Sequence, residues 1–396
     1  KKRRKRKRRK TLIILLAFAL VFSLAGCGGD GKGGEVSEDT INIGALYNLT
    51  GGQASLDQPS YNGFKLAAEE INANGGINGK MINVVSYDGK TEQTTVANNA
   101  KKMIDVDNCI VVAGLSDSNY ALAAGNICQE KGIPFITSGA TLPSLPDQVG
   151  DFAFLAPFGD NIQAYACADY AINDLGLTKC YLLIDQSMEF TKALAHFFQE
   201  RYLELGGEIV LTDNYMNKDP DFSAQIDRFL ADKGGAEILF ISGVPDDAGV
   251  VVKQFRDKGV TLPIISGDGF DTPLLIEIAG DSANDTYVGT HASLENQDPM
   301  VLAFIDAYTE AYGVPPENAF AGLGYDTMYL IADALSRATD INDPASIRDA
   351  IAETANLKGV TGTVTYEDGS HVPTKSVTIN KVENGKFVFM KEVFLK

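Results

Sequence analysis

The stretch Gly63-Phe64-Lys65-Leu66-Ala67-Ala68-Glu69-Glu70-Ile71-Asn72-Ala73-Asn74-Gly75-Gly76-Ile77-Asn78-Gly79 governs how the rest of the chain is read. Phe64, Ala67, Ala68 and Ile71 recur at the three- and four-residue spacing of a helix, while Lys65, Glu69 and Glu70 fall off that face. Such a period buries one side of an amphipathic helix, and glycine after the last turn supplies the left-handed residue that ends it. Short apolar runs flank it, Ile41 to Leu46 before and Ile82 to Tyr87 after. Strand, helix and strand in that order make the unit of a parallel sheet.

The alternation continues outward. Further strands are expected at Ile110 to Ala113, Pro134 to Thr137, Tyr181 to Ile184, Glu208 to Thr212, Ile238 to Ile241 and Pro263 to Ile265. Helices are expected at Tyr61 to Ala73, Thr94 to Asp105, Asn119 to Lys131, Ile162 to Leu175, Glu189 to Leu205, Phe222 to Asp232, Asp247 to Lys258, Met300 to Tyr312 and Tyr325 to Ala338, many with a glycine stop such as Gly132 or Gly313. Four strand and helix pairs run to about Ala156 and four more to about Ile278, so an α/β chain of two doubly wound lobes is predicted. A hairpin-like run from Thr363 to Leu395 follows, with turn signals at Glu367-Asp368-Gly369 and Asn384-Gly385.

The 396 residues are 45% apolar and 22% charged, the balance of a globular protein rather than a disordered or collagen-like one. Lys1 to Lys10 are all basic, and Leu12 to Ala25 follow as an apolar run that ends in Leu24-Ala25-Gly26-Cys27. This reads as an export signal over residues 1–26, with a retained membrane helix as the competing reading. The last four residues resemble a bacterial lipobox, which implies diacylation at Cys27, with residues 27–39 as a flexible tether. Without residues 1–26, 24 basic side chains face 52 acidic ones, a charge of −28. So acidic a surface repels polyphosphate and anionic headgroups, which excludes nucleic-acid binding and leaves the lipid as the sole membrane contact. Cys109, Cys128, Cys167 and Cys180 lack metal-site spacing, and no metal or cofactor is expected. Cys109 and Cys128 lie at one end of a strand and helix layer, and two readings stand for them, a disulfide or buried free thiols.

The Gly63 to Gly79 string closely resembles a hallmark of the branched-chain amino-acid (Leu/Ile/Val) binding protein family, the type I periplasmic solute-binding proteins of ABC importers. Thr50-Gly51, Asp88, Pro134, Asp219 to Gln225, Gln254 to Gly259 and Gly267-Asp268-Gly269 resemble further family positions in the right order. The resemblance implies two lobes joined by three crossings, placed near Phe154 to Phe158, Gly289 to Ala292 and Tyr366 to Thr374. Lobe 1 is then residues 40–156 and 291–366, and lobe 2 residues 157–290 and 367–396. A ligand is gripped in the cleft as the lobes close, beyond the carboxyl ends of the strands, where helix amino-termini offer free amides.

By the same resemblance, Asp117 stands where the family has its carboxylate-binding serine, with Ser118 next to it. A carboxylate within about 4 Å of a ligand carboxylate costs roughly 1 to 4 kcal/mol, so Asp117 either contacts a different ligand group or simply caps the following helix. Gly139, Ala140 and Thr141 resemble the second gripping loop, Gly139 through its backbone and Thr141 through its hydroxyl. Phe190 and Val244 stand at tyrosine positions, Asp268 at the acid that pairs with the ligand ammonium, and Leu56 and Phe320 at the side-chain pocket.

These residues imply a lipid-anchored extracytoplasmic receptor that delivers a small amino-acid-like solute to ABC permease subunits and acts as a monomer. Asp117 and the lost tyrosine hydroxyls leave open a cationic or amide solute instead. A sensor domain for a signalling partner is the reading from another class. An enzyme is not expected: no dinucleotide, P-loop, serine-elbow or zinc-protease motif is present, and His196, His291 and His371 are scattered.

Overall fold

A computed structural model describes residues 40–395. The expected export signal, Cys27 and the tether lie outside the described residues. The first sheet holds β1 (Thr40–Tyr47), β2 (Met81–Asp88), β3 (Val111–Gly114), β4 (Phe135–Thr137) and β5 (Ala153–Leu155), all parallel in the order β2-β1-β3-β4-β5. Its helices are α1 (Ala54–Ala73), α2 (Gln93–Asp105), α3 (Ser118–Lys131) and α4 (Leu145–Val149). The chain then enters α5 (Asp160–Asp169) and builds five parallel strands, β6 (Lys179–Asp185), β7 (Glu208–Tyr215), β8 (Ile238–Ser242), β9 (Ile264–Ser266) and β10 (Thr286–Thr290). Between them lie α6 (Glu189–Glu204), α7 (Ser223–Ala231), α8 (Pro245–Asp257) and α9 (Pro273–Ala279).

After β10 come α10 (Pro299–Tyr312), α11 (Ala319–Arg337), α12 (Pro344–Ala352) and a small hairpin, β11 (Leu357–Gly359) with β12 (Gly362–Val364). The chain finally adds β13 (Val377–Glu383) and β14 (Lys386–Val393) antiparallel to the second sheet, giving β14-β13-β10-β9-β8-β6-β7. Strands β3, β4, β5, β8 and β9 are buried along their length, as continuous apolar runs covered by helices on both faces require.

The α1 and α11 helices cross with their backbones nearly touching. A methyl group on Gly63 would sit 1.9 Å from the Ala321 carbonyl oxygen, and one on Gly324 would sit 1.8 Å from that of Ser60. Gly63, the first residue of the stretch that governs the reading, is therefore a glycine because another helix occupies the space a side chain needs. The α1 helix also starts at Ala54, about two turns before the expected Tyr61, and carries Pro59 inside it. Proline removes the amide that would bond the Ser55 carbonyl, and Asn318 Nδ2 donates to that carbonyl instead at 2.9 Å. Tertiary contact thus rescues a helix start that local sequence argues against.

Short strands also form at two of the expected crossings. Three-residue β5 occupies part of the segment expected as the first crossing, and β10 takes in Gly289, expected in the second. Such short strands carry too few residues to show a period. The Glu367-Asp368-Gly369 turn forms, with positive φ at Asp368 and Gly369, but the segments on its two sides do not pair. The chain instead runs along β5: Leu155 N donates to the His371 carbonyl at 2.9 Å, and the His371 ring stacks on Phe154 at 4.0 Å. The only hairpin turn of the expected pair is Asn384-Gly385, between β13 and β14. The Cys109–Cys128 disulfide is absent. All four described cysteines are free thiols, and Cys109 and Cys128 pack as small apolar side chains in one buried cluster. No helix among the described residues is long and apolar enough to cross a membrane.

Candidate functional site

Loops at the carboxyl ends of β3, β4, β6, β8, β9 and β10 meet between the two sheets. The β3 loop is shaped by its backbone. Gly114 (φ +132°) lies so near β1 that a methyl group would be 1.9 Å from the Leu46 carbonyl oxygen, and Leu115 adopts a left-handed φ of +64°. That turn aims the Leu115 carbonyl at the β4 loop, where it accepts from Gly139 N at 3.2 Å and from Thr137 Oγ1 at 2.8 Å. Ala140 N donates to Thr137 Oγ1 at 2.9 Å. The Gly139 and Ala140 amides are therefore engaged within lobe 1, and the Thr141 hydroxyl is the loop's polar group that reaches α5.

Gln163 on α5 gathers the centre of the cleft. Its Nε2 donates to Asp160 Oδ1 at 3.1 Å, to Asp268 Oδ1 at 3.3 Å and to Thr141 Oγ1 at 3.5 Å, while its Oε1 accepts from Asp268 N at 3.0 Å. Two residues predicted from sequence, Thr141 and Asp268, are thereby joined through one side chain that sequence reasoning missed. Asp268 has a second partner, His291, whose Nε2 lies 2.7 Å from its Oδ2. The His291 ring stacks on Phe158 at 4.2 Å and meets Phe320 edge-on at 5.5 Å. Burial holds the imidazole well below its ordinary pKa, with Lys375 acting in the same direction, so the ring is neutral and shares one hydrogen bond with Asp268 through Nε2. The desolvation of Asp268, which pushes its carboxyl up to about 7, is thus met partly from within the protein rather than by a ligand ammonium alone.

On the opposite side, Asp117 caps α3, its Oδ1 accepting from Asn119 N at 2.9 Å. Asp57, on α1, accepts from Asn48 N at 2.6 Å. Both are buried, and burial pushes each carboxyl up to about 7. The charges acting on Asp117 are Asp57 and Asp185, and those on Asp160 are Asp268 and Asp117. Among the described residues no ion pair joins Asp57, Asp117, Asp160 or Asp185 to a lysine or arginine.

The predicted apolar residues fall in two places. Leu56 and Phe320 form a small cluster with Leu323, while Phe190 and Val244 share a larger one with Met188. A methyl group on Gly269 would lie 3.2 Å from the Phe190 ring, which puts that ring beside the Asp268 loop. The lobes also touch directly: Glu189 N donates to Asn119 Oδ1 at 3.0 Å, Thr272 Oγ1 to Ser55 Oγ at 2.9 Å, and Ala319 N to Asp271 Oδ2 at 3.2 Å. Asp57, Asp160, Gln163 and His291 escaped the sequence reading. Only His291 had a signal, a histidine within the stretch expected to be the second crossing.

A profile of the periplasmic binding protein family matches residues 40–386. An amino acid binding protein of Pseudomonas aeruginosa is 30% identical over 308 residues, 77% of this chain and 80% of that protein. Among solved structures, the leucine-binding protein LivK of Thermotoga maritima superposes with a TM-score of 0.83 at 29% identity, covering 89% of this chain and 99% of the other. The branched-chain amino acid transporter substrate-binding protein LivJ of Streptococcus pneumoniae, in complex with isoleucine, gives 0.82 at 29% identity over the same shares.

Proposed function

The chain belongs to the periplasmic binding protein family, in its type I branch of Leu/Ile/Val-binding proteins, and we propose that it is the receptor of an ABC importer that holds a small amino-acid-like solute between its lobes. Its relatives are solute-binding proteins rather than enzymes, and the family works outside the cytoplasm. The observation that carries the reading is the Gln163 bridge, which ties the Thr141 loop of one lobe to Asp268 of the other where the strand ends converge. A polar centre of this kind, walled by Phe190 and Phe320, matches a small solute that sets a charged end against it and carries a short stem.

In this proposal lobe 1 comprises residues 40–156 and 291–366 and lobe 2 residues 157–290 and 367–396. The sheet membership of β1–β5 and of β6–β10 with β13 and β14 supports that division. The lobes open to admit solute and close over it, Asn119, Ser55 and Ala319 forming their contacts with lobe 2 on closure. Acyl chains on Cys27 hold the receptor, a monomer, at the outer face of the membrane, and ABC permease subunits receive the solute from it.

Calorimetric titration of the purified protein against amino acids, their amides and small amines tests this reading, with small-angle scattering before and after. We expect one class to bind and the radius of gyration to fall on binding. No binding by any of them, with a cooperative melting transition intact, would contradict it.

A further inference from the structure

The lobe 1 side of the cleft carries charge that an amino-acid carboxylate does not fit. Asp57 and Asp117 lie at 0% and 3% exposure, near enough to act on each other's charge, with Asp185 and Asp160 adding to the same field. One oxygen of each aspartate has a backbone donor, Asn48 N for Asp57 and Asn119 N for Asp117. The hydroxyl and amide of Ser116 face the Asp57 carboxyl and partly offset its burial, but neither Asp57 Oδ1 nor Ser116 Oγ completes a hydrogen bond, and Ser118 Oγ, fully buried, completes none either. The Ser116 hydroxyl lies against the β4 loop. A methyl group on Gly139 would lie 2.7 Å from it and 2.9 Å from the Phe320 ring, so it sits over the gripping loop, next to the apolar pocket.

Resting on the reading of this cleft as a solute site, we propose that Asp57 and Asp117, with the hydroxyls of Ser116 and Ser118, form a cation subsite, and that the solute is an organic cation without a carboxylate. Two adjacent buried carboxylates are costly until a positive group lies between them, and two hydroxyl acceptors complete the shell of an ammonium or guanidinium. A zwitterionic amino acid that sets its ammonium against Asp268 brings its carboxylate to this end, where each nearby aspartate repels it. The Asp268 end is acidic too, and Asp160, whose Oδ2 completes no hydrogen bond, feels the charge of both Asp268 and Asp117. A linear molecule with a positive group at each end and a hydrocarbon stem along Leu56, Phe320 and Leu323 matches both ends and the apolar wall.

The test is calorimetric titration of the purified protein at pH 8 with putrescine, agmatine and leucine, repeated on Asp117→Ser, Asp117→Asn and Asp57→Asn. Serine and asparagine both cap helices, so the Asp117 variants remove charge and keep the α3 cap. We expect putrescine or agmatine to bind wild type, to lose about a hundredfold or more in affinity in each variant, and leucine to bind wild type far more weakly. Leucine binding of equal strength in wild type and variants overturns the cation subsite and leaves the solute-receptor reading standing. Cation binding that the variants do not weaken overturns it as well. Binding of none of the three by protein with an intact melting transition counts against both readings.

Discussion

The two sides of the cleft solve the same problem differently. In lobe 2, Asp268 is buried yet satisfied, with Gln163 on one oxygen and His291 on the other. In lobe 1, Asp57 and Asp117 are buried beside each other with hydroxyls that complete no bonds. One acid is part of the scaffold, and two wait for a partner. Removing a group should therefore have opposite consequences on the two sides: loss of a partner in lobe 2 destabilises, whereas loss of a charge in lobe 1 stabilises the free protein and weakens binding.

The largest effect is expected for His291→Ala. It leaves Asp268 Oδ2 without its partner and opens a cavity against Phe158, at a cost of about 3 kcal/mol, read as a lowered urea midpoint at unchanged slope. If the midpoint does not move, Asp268 is not held by His291 and the contrast disappears.

A smaller effect is expected in the pH dependence of the ligand-free protein. Asp57 and Asp117 titrate near 7 when folded and near 4 when unfolded, so the folded state holds more protons between those values. Their contribution to stability is full in acid and is lost as pH rises through about 7. His291 has the opposite sign, since the buried ring stays neutral while the unfolded one takes a proton below about 6.5. Together these three groups should raise stability by roughly 2 kcal/mol from pH 8 to pH 6 and by a further similar amount towards pH 4, since two carboxyls outweigh one imidazole. In the double variant Asp57→Asn with Asp117→Asn most of that rise should vanish, with stability at pH 8 above wild type. A rise of equal size in both proteins assigns it instead to Asp247, Asp268 and Asp271, whose carboxyls burial also raises.

Gln163→Met should cost about 1 to 2 kcal/mol of binding energy, because Thr141 and Asp268 lose their common donor, with less effect on stability than His291→Ala. Equal losses in both quantities would make Gln163 a scaffold residue only. The smallest signal is expected from the thiols. Cys109, Cys128, Cys167 and Cys180 are buried, with burial raising each thiol's pKa, so a thiol reagent should modify none of them in the native state and all four on unfolding. Native protein in which Cys109 and Cys128 resist reagent even when unfolded, until reduced, would restore the disulfide reading.

The fold was legible where the chemistry is local and periodic. Eight strand runs and the long amphipathic helices announce themselves through apolar spacing, and Gly132 and Gly313 close their helices in the left-handed conformation. Three-residue β5 and the Pro59-bearing start of α1 could not be read, since both depend on neighbours distant in sequence, such as Asn318. The site divides along the same line. Residues on strand-end loops, Asp117, Thr141 and Asp268, were proposed by resemblance to a family. Asp57, Gln163 and His291 became visible only when folding brought three different elements together around the same carboxylates.

The measurement that tests the central contrast most directly is proton release on binding, obtained at pH 7 by titrating putrescine or agmatine, whichever binds, in two buffers of different ionisation enthalpy. A cation seated between Asp57 and Asp117 lowers their pKa, so the account predicts release of a substantial fraction of a proton per solute bound, reduced in Asp117→Ser. Binding with no proton exchange, or with the same release in Asp117→Ser, would contradict it.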